Sequence, residues 1–179
     1  MYHGTDASIS DIDNSTFYDN DAARGGGMYS LADLDVINCT LSANHATTTG
    51  GAVYGNVNTI LRNSILTNSS SGRNCDNEGT KPANTGNNID SGTSCGWGSN
   101  NGSLSSTNPL QGPLQNNGGT TETMAILAGS PAVNAVIWNT PNFCPDEDQR
   151  KYERPFGTYC DIGAFERYYR LFMPEVMKN

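Results

Sequence analysis

Gly25-Gly26-Gly27-Met28-Tyr29 returns as Gly50-Gly51-Ala52-Val53-Tyr54, and Met1-Tyr2 reads as the tail of an earlier copy. Between these glycine-rich steps lie three matching segments. They are Ile12-Asp13-Asn14-Ser15-Thr16-Phe17, Val36-Ile37-Asn38-Cys39-Thr40-Leu41 and Leu61-Arg62-Asn63-Ser64-Ile65-Leu66. Asn14 to Asn38 is 24 residues and Asn38 to Asn63 is 25. A fixed period of this size marks a solenoid, in which each repeat buries its apolar face only against its neighbours. Leu34, Val36, Cys39 and Leu41 of one repeat correspond to Ser10, Ile12, Ser15 and Phe17 of the one before. The asparagine between the apolar pairs breaks strict alternation, so the chain must bend there. Asparagine tolerates left-handed backbone, and its amide can bond the same amide one coil away. Asn20, Asn44 and Asn68 read as a second corner, and the glycines at 25–27 and 50–51 as the sharpest turn, reached with positive φ. Short strands joined by tight corners stack as parallel sheets at about 4.8 Å. The expected architecture is an all-β parallel β-helix with Ile12, Val36 and Leu61 in one interior column.

Composition agrees. Of 179 residues only 16% are charged and 35% hydrophobic, 20 are glycine, and Asn, Ser and Thr abound. That is the make-up of short strands and many turns rather than of a helical bundle. A net charge of −8 leaves no basic stripe for nucleic acid or anionic lipid. No apolar run is long enough to span a membrane as a helix. The first residues lack the charged and apolar regions of a signal peptide. Met1 falls where Met28 falls in its repeat, so the chain is expected to start in mid-coil, as part of a longer protein.

The coils are read over residues 1–68, followed by a polar loop insertion at 69–109 anchored by Ile89 and Trp97. C-terminal coils and a cap follow at 110–166, and a tail at 167–179. Cys75 and Cys95 flank one loop poor in apolar residues, and Cys144 and Cys160 another. Each pair can close a loop worth roughly 3 kcal/mol, and such staples persist in oxidising compartments. The alternatives are five reduced thiols or a zinc site, although the spacing lacks any C-x2-C knuckle. Cys39, aligned with Ser15 and Ser64, reads as a small buried repeat residue.

Several motifs in order carry a resemblance that covers residues 1 to about 166. After the glycine-rich coils come Asn116-Asn117-Gly118-Gly119-Thr120, Ala128-Gly129-Ser130-Pro131-Ala132-Val133-Asn134, Asp148-Gln149-Arg150, Arg154-Pro155 and Cys160-Asp161-Ile162-Gly163-Ala164-Phe165-Glu166. In this the chain resembles the choice-of-anchor Q domain family. The resemblance implies a right-handed parallel β-helix of the pectin-lyase-like superfold at a bacterial surface, with an anchoring signal after the domain. It carries over no catalytic residues. Relatives usually have more coils before this point.

Chemistry in the repeats is sparse. Asp11 and Asp35 occupy one position on adjacent coils, where like charges about 5 Å apart repel unless solvent or a cation intervenes. Calcium prefers such oxygen ligands. Arg62, offset by two positions on the next coil, completes a set that imitates the calcium carboxylates and base of a pectate lyase. Solvated surface carboxylates are the plainer reading. His3 and His45 lie in loops with no nucleophile in view. The charges at Asp146, Glu147, Asp148, Arg150, Lys151, Glu153 and Arg154 read as ion pairs fixing a loop to the cap, with Asp161 or Glu166 as partners. Asn14, Asn38, Asn68 and Asn101 open Asn-x-Ser/Thr sequons, of which the first two double as corners. Tyr2, Tyr29 and Tyr54 form a column, read as a packed ladder before a sugar-stacking strip. The expectation is a non-catalytic, secreted or cell-surface module serving as stalk, adhesin-like surface or scaffold. A surface glycan or other surface proteins are its expected partners. No cofactor is expected, with calcium the one alternative. The rival reading is a fragment of a pectate-lyase-like lyase or glycoside hydrolase acting through Asp11, Asp35 and Arg62.

Overall fold

The computed structural model describes residues 2–3, 10–70, 73–76, 81–136 and 144–168. The reading of Met1 and most of the tail expected at 167–179 therefore fall outside the described residues. The first two coils each contribute four strands. These are β1 (Tyr2–His3), β2 (Ser10–Asp13), β3 (Thr16–Tyr18) and β4 (Asp21–Arg24), then β5 (Met28–Ser30), β6 (Leu34–Ile37), β7 (Thr40–Ser42) and β8 (His45–Thr49). The third coil has β9 (Val53–Tyr54), β10 (Thr59–Arg62) and β11 (Ile65–Thr67). A further coil has β12 (Cys75–Asp76), β13 (Ala83–Gly86) and β14 (Ile89–Asp90), followed by β15 (Leu104–Ser105). All of these pair in parallel, giving a first face β1-β5-β9-β12, a second β13-β10-β6-β2 and a third β15-β14-β11-β7-β3. β4 pairs with β8 on the flank between the third and first faces. Three full turns separate β1 from β12, and β13 and β14 begin a fourth. The chain is a parallel β-helix. Among the described residues no helix is long and apolar enough to cross a membrane.

Residues 69–109 are not the loop insertion expected from sequence. They hold the last coil, and two physical causes hid it. After the third face the first two coils spend nine (19–27) and ten (43–52) residues before the next strand of the first face, but the third spends seven (68–74), with no flank strand among its described residues. The period thus shortens, with Val53 facing Cys75 and Ile60 facing Ala83. The inward positions also turn polar: Asn84 stands opposite Leu61 and Asp90 opposite Leu66. The Asn84 side-chain oxygen accepts from Asn88 Nδ2 (2.9 Å), Ser103 Oγ (2.9 Å) and Gly86 N (3.0 Å), so a bonded polar cluster replaces hydrocarbon there.

Ile12, Val36 and Leu61 do share one column, Ile12 opposite Val36 and Val36 opposite Leu61. They belong to an interior core with Met28, Leu34, Leu41 and Val53. The corner asparagines Asn14, Asn38, Asn63 and Asn87 all have φ between 43° and 51°. Asn63 Nδ2 donates to Asn38 Oδ1 (3.1 Å) and Asn87 Nδ2 to Asn63 Oδ1 (3.3 Å), an amide ladder along the axis. Two sequence readings change. At the second corner Asn68 shares its register with Asp19 and Ala43 rather than with Asn20 and Asn44, because the period there is 25 and not 24. Within the glycine runs only the first residue has positive φ, 60° at Gly25 and 70° at Gly50. The later ones yield to neighbouring backbone instead: a Cβ on Gly27 would stand 2.7 Å from the Ala52 carbonyl oxygen.

A second core lies outside the coil. The outward column of the third face runs Thr16, Thr40, Ile65, Ile89. Its two isoleucines are fully buried against Ile126, Ala132, Ile162 and Phe165. The C-terminal segment thus closes the flank of the third face. It includes an antiparallel hairpin of β16 (Gln111–Gln115) and β17 (Thr123–Ile126) and is stapled by Cys144–Cys160. The end of the interior core is closed separately, by the loop that bonds Cys95 to Cys75 and buries Trp97 in that core.

Candidate functional site

Alternation along β2, β6 and β10 turns Ile12, Val36 and Leu61 inward and leaves Asp11, Asp35 and Arg62 on the outer surface of the second face. Asp11 lies directly opposite Asp35. The next rung of that column is Ile60, and Arg62 stands two residues further along, opposite Ile37. The structure therefore brings the three candidates to one face. Partial burial pushes the Asp35 carboxyl up; Arg62 works against this and Asp11 adds to it. Calcium takes six to eight oxygens. Here the column offers two carboxylates with Ile60 as the next rung, and among the described residues no group of three or more His, Cys, Asp or Glu is placed to hold a metal ion.

The charged residues of the C-terminal motifs are elsewhere, and buried. Asp148, Arg150, Arg154, Asp161 and Glu166 are each less than a tenth exposed. Arg150 grips Asp148 through Nε (2.9 Å) and Nη2 (2.6 Å), and its guanidinium lies 3.6 Å from the centre of the Phe165 ring. Arg154 Nη1 donates to Glu166 Oε2 (2.9 Å) and to the Asp161 carbonyl (3.0 Å), and Nη2 to the Gly163 carbonyl (2.7 Å). Backbone amides fill the carboxylates: Asp161 and Phe156 donate to Glu166, Asn134 and Arg167 to Asp161, and Arg150, Tyr152 and Glu166 to Asp148. Burial raises the Asp161 and Glu166 carboxyls above their usual range. Around Asp161 the amides counter that, and around Glu166 its neighbour Asp161 reinforces it while Arg154 opposes it. Burial likewise lowers Arg154, against the pull of Glu166. Each charge has a partner, as buried charges require. The set is a clasp that folds 144–168 onto itself.

The clasp is docked on the coils by residues that looked merely repetitive. Asn38 Nδ2 donates to the Asp161 carbonyl (3.1 Å), Ala164 N to Thr40 Oγ1 (3.1 Å), Gly163 N to the Asn63 carbonyl (2.8 Å) and Thr16 Oγ1 to Gln149 Oε1 (2.6 Å). The face covered is the one whose outward column carries Ile65 and Ile89, both fully buried, whereas the outward Ile37 and Ile60 of the second face are half-buried. Asn38 is accordingly buried, whereas Asn68 and Asn101 are exposed.

Both expected disulfides, Cys75–Cys95 and Cys144–Cys160, are present, and Cys39 is a buried free thiol. The histidines are not in loops. His3 lies in β1, and His45 lies in β8 with Nδ1 2.6 Å from Asp21 Oδ1. Tyr29 and Tyr54 stack with ring centres 5.0 Å apart and planes 3° off parallel, and Tyr54 is buried, which makes the column a packed ladder. At backbone level Tyr2 faces Tyr29. Compared with known proteins, the chain matches no family model, no curated protein and no solved structure.

Proposed function

We propose that this chain is a non-catalytic β-helix module of a secreted or cell-surface protein, a stalk or scaffold akin to the choice-of-anchor Q domain proteins whose motifs it resembles. One observation carries this reading. The charged residues of the motifs behind that resemblance, Asp148, Arg150, Arg154, Asp161 and Glu166, are spent on a buried clasp rather than presented to a substrate. Two buried disulfide cysteines in the coil and a stapled C-terminal segment support an oxidising compartment. Contacts with surface glycans or with other surface proteins belong to the same proposal.

The alternative rests on Asp11, Asp35 and Arg62, which do share the outer surface of the second face. The test is a lyase assay on polygalacturonate and alginate, with and without calcium, following the absorbance of unsaturated product. No turnover is expected in either condition. Turnover lost in both Asp35→Ala and Arg62→Ala would overturn the structural reading in favour of the enzyme. Calcium binding abolished by Asp35→Ala, without turnover, would add a metal to the scaffold.

A further inference from the structure

Among the described residues the third coil has no counterpart of the flank strands β4 and β8, and only residues 68–74 join β11 to β12. The shortcut leaves a notch of about 490 Å³ in the side of the solenoid, lined by Asn68, Ser69, Arg73, Asn74, Lys81 and the loop 91–94. We propose that this notch binds an oxyanion, such as sulfate, phosphate or the carboxylate or sulfate group of an acidic glycan.

Its charge runs against the composition of the protein. In a chain of net charge −8, the described residues of the lining include two cations, Arg73 and Lys81, and no carboxylate. The other large recesses are unlike it. That between Asp13 and the 145–151 loop includes Asp146, Glu147 and Asp148, and that beside Phe17 is lined by both Asp21 and Arg24. Asp90 lies beneath this lining and is sealed from it. Fully buried, it accepts from Asn74 Nδ2 (2.6 Å), Gly92 N (2.8 Å) and Cys95 N (2.9 Å).

The hydroxyls of the lining are set up as donors. Ser91 Oγ already accepts from Asn68 N and Asn74 Nδ2 (both 3.2 Å), and Ser94 Oγ from Cys75 N (3.2 Å). Both lone pairs of Ser91 Oγ and one of Ser94 Oγ are engaged, and each hydroxyl keeps a proton to donate. Ser69 Oγ is shielded from solvent and has no hydrogen-bond partner. A buried hydroxyl without a partner is costly unless a ligand supplies one. Lys81 Nζ is held by the Ser94 carbonyl, which uses one of its three protons and leaves two. Two cations with convergent hydroxyl donors form the charge-assisted arrangement that oxyanions favour.

The experiment titrates the full chain with sodium sulfate and sodium acetate, followed by amide NMR shifts, against sodium chloride at matched ionic strength. A sulfated tetrasaccharide and its desulfated form distinguish a free ion from a glycan-borne group. Saturable shifts confined to residues 68–74, 81 and 91–94 are expected with sulfate but not with chloride. Arg73→Asn, chosen because asparagine tolerates the φ of +64° there, and Lys81→Gln should each weaken binding about tenfold. Ser69→Ala should weaken it by a smaller factor. Lys151→Gln, which removes a cation paired with Glu147, should leave it unchanged. A chloride response equal to that of sulfate, or equal weakening by Lys151→Gln, would overturn the site in favour of diffuse screening. Unchanged affinity in the Arg73→Asn/Lys81→Gln double variant would overturn it too.

Discussion

Cys39 stands where Ser15 and Ser64 stand in the neighbouring coils, and the repeat uses it as it uses them. Its amide donates to Ser64 Oγ (3.1 Å), and its sulfur contacts the Ile12 and Ile37 carbonyls (3.4 and 3.3 Å). Burial pushes the thiol from 9.0 up to about 12, so it is neutral and unreactive at physiological pH. Between those two values the unfolded chain has lost a proton that the folded chain keeps. Unfolding therefore releases a proton, and stability falls as pH rises through that window, by at most about 1.4 kcal/mol per pH unit. Urea unfolding of wild type and Cys39→Ser between pH 8 and 10.5 should show the wild type losing stability faster above pH 9. Parallel curves would mean that the thiol ionises in the folded state as it does in the unfolded one. The native protein should also resist alkylation until denatured.

Among elements, the C-terminal segment shows how a charge-rich stretch becomes structural. Arg154 alone ties together Glu166, the Asp161 carbonyl and the Gly163 carbonyl, and the Gly163 backbone then docks on Asn63 and Asn38. Arg154→Ala takes the cation from the buried Glu166 carboxylate, which keeps only its backbone amide donors, and removes one donor from each of two carbonyls. The expected loss is about 3–5 kcal/mol in urea unfolding, with the interior coil signals persisting after those of 144–168 are lost. A change under 1 kcal/mol would mean that the clasp is not what holds this segment. The residue types of the clasp were legible in sequence, as was their structural role. The pairings were not, since Asp148, Asp161 and Glu166 are equally plausible partners for either arginine until the chain is folded.

At the scale of the molecule, a solenoid must close its ends as well as its sides. Here the last coil does so by replacing inward Leu61 and Leu66 with Asn84 and Asp90, and by placing Trp97 in the interior core through the Cys75–Cys95 loop. Trp97→Ala should cost about 3–5 kcal/mol, from lost burial and the cavity left behind. Thermal unfolding of that variant beside the wild type checks this. A melting temperature within a degree of wild type would show that the loop, and not the indole, closes the end. The two disulfides join residues 20 and 16 apart and add about 3 kcal/mol each by limiting the unfolded chain.

The sequence by itself determined the coil. Its period, the inward column through Ile12, Val36 and Leu61, and the left-handed corner asparagines follow from local sterics and alternation, which repeat every 24 or 25 residues. That reading failed where the local rule was broken, at the shortened link 68–74 and at the polar inward positions beyond it. Only the tertiary structure decided which face the C-terminal segment covers, which carboxylate each arginine meets, and that the short link 68–74 leaves a cationic notch. Those contacts join residues as far apart as Asn38 and Asp161. No periodic pattern encodes them, because they depend on where the chain returns in space and not on what repeats along it.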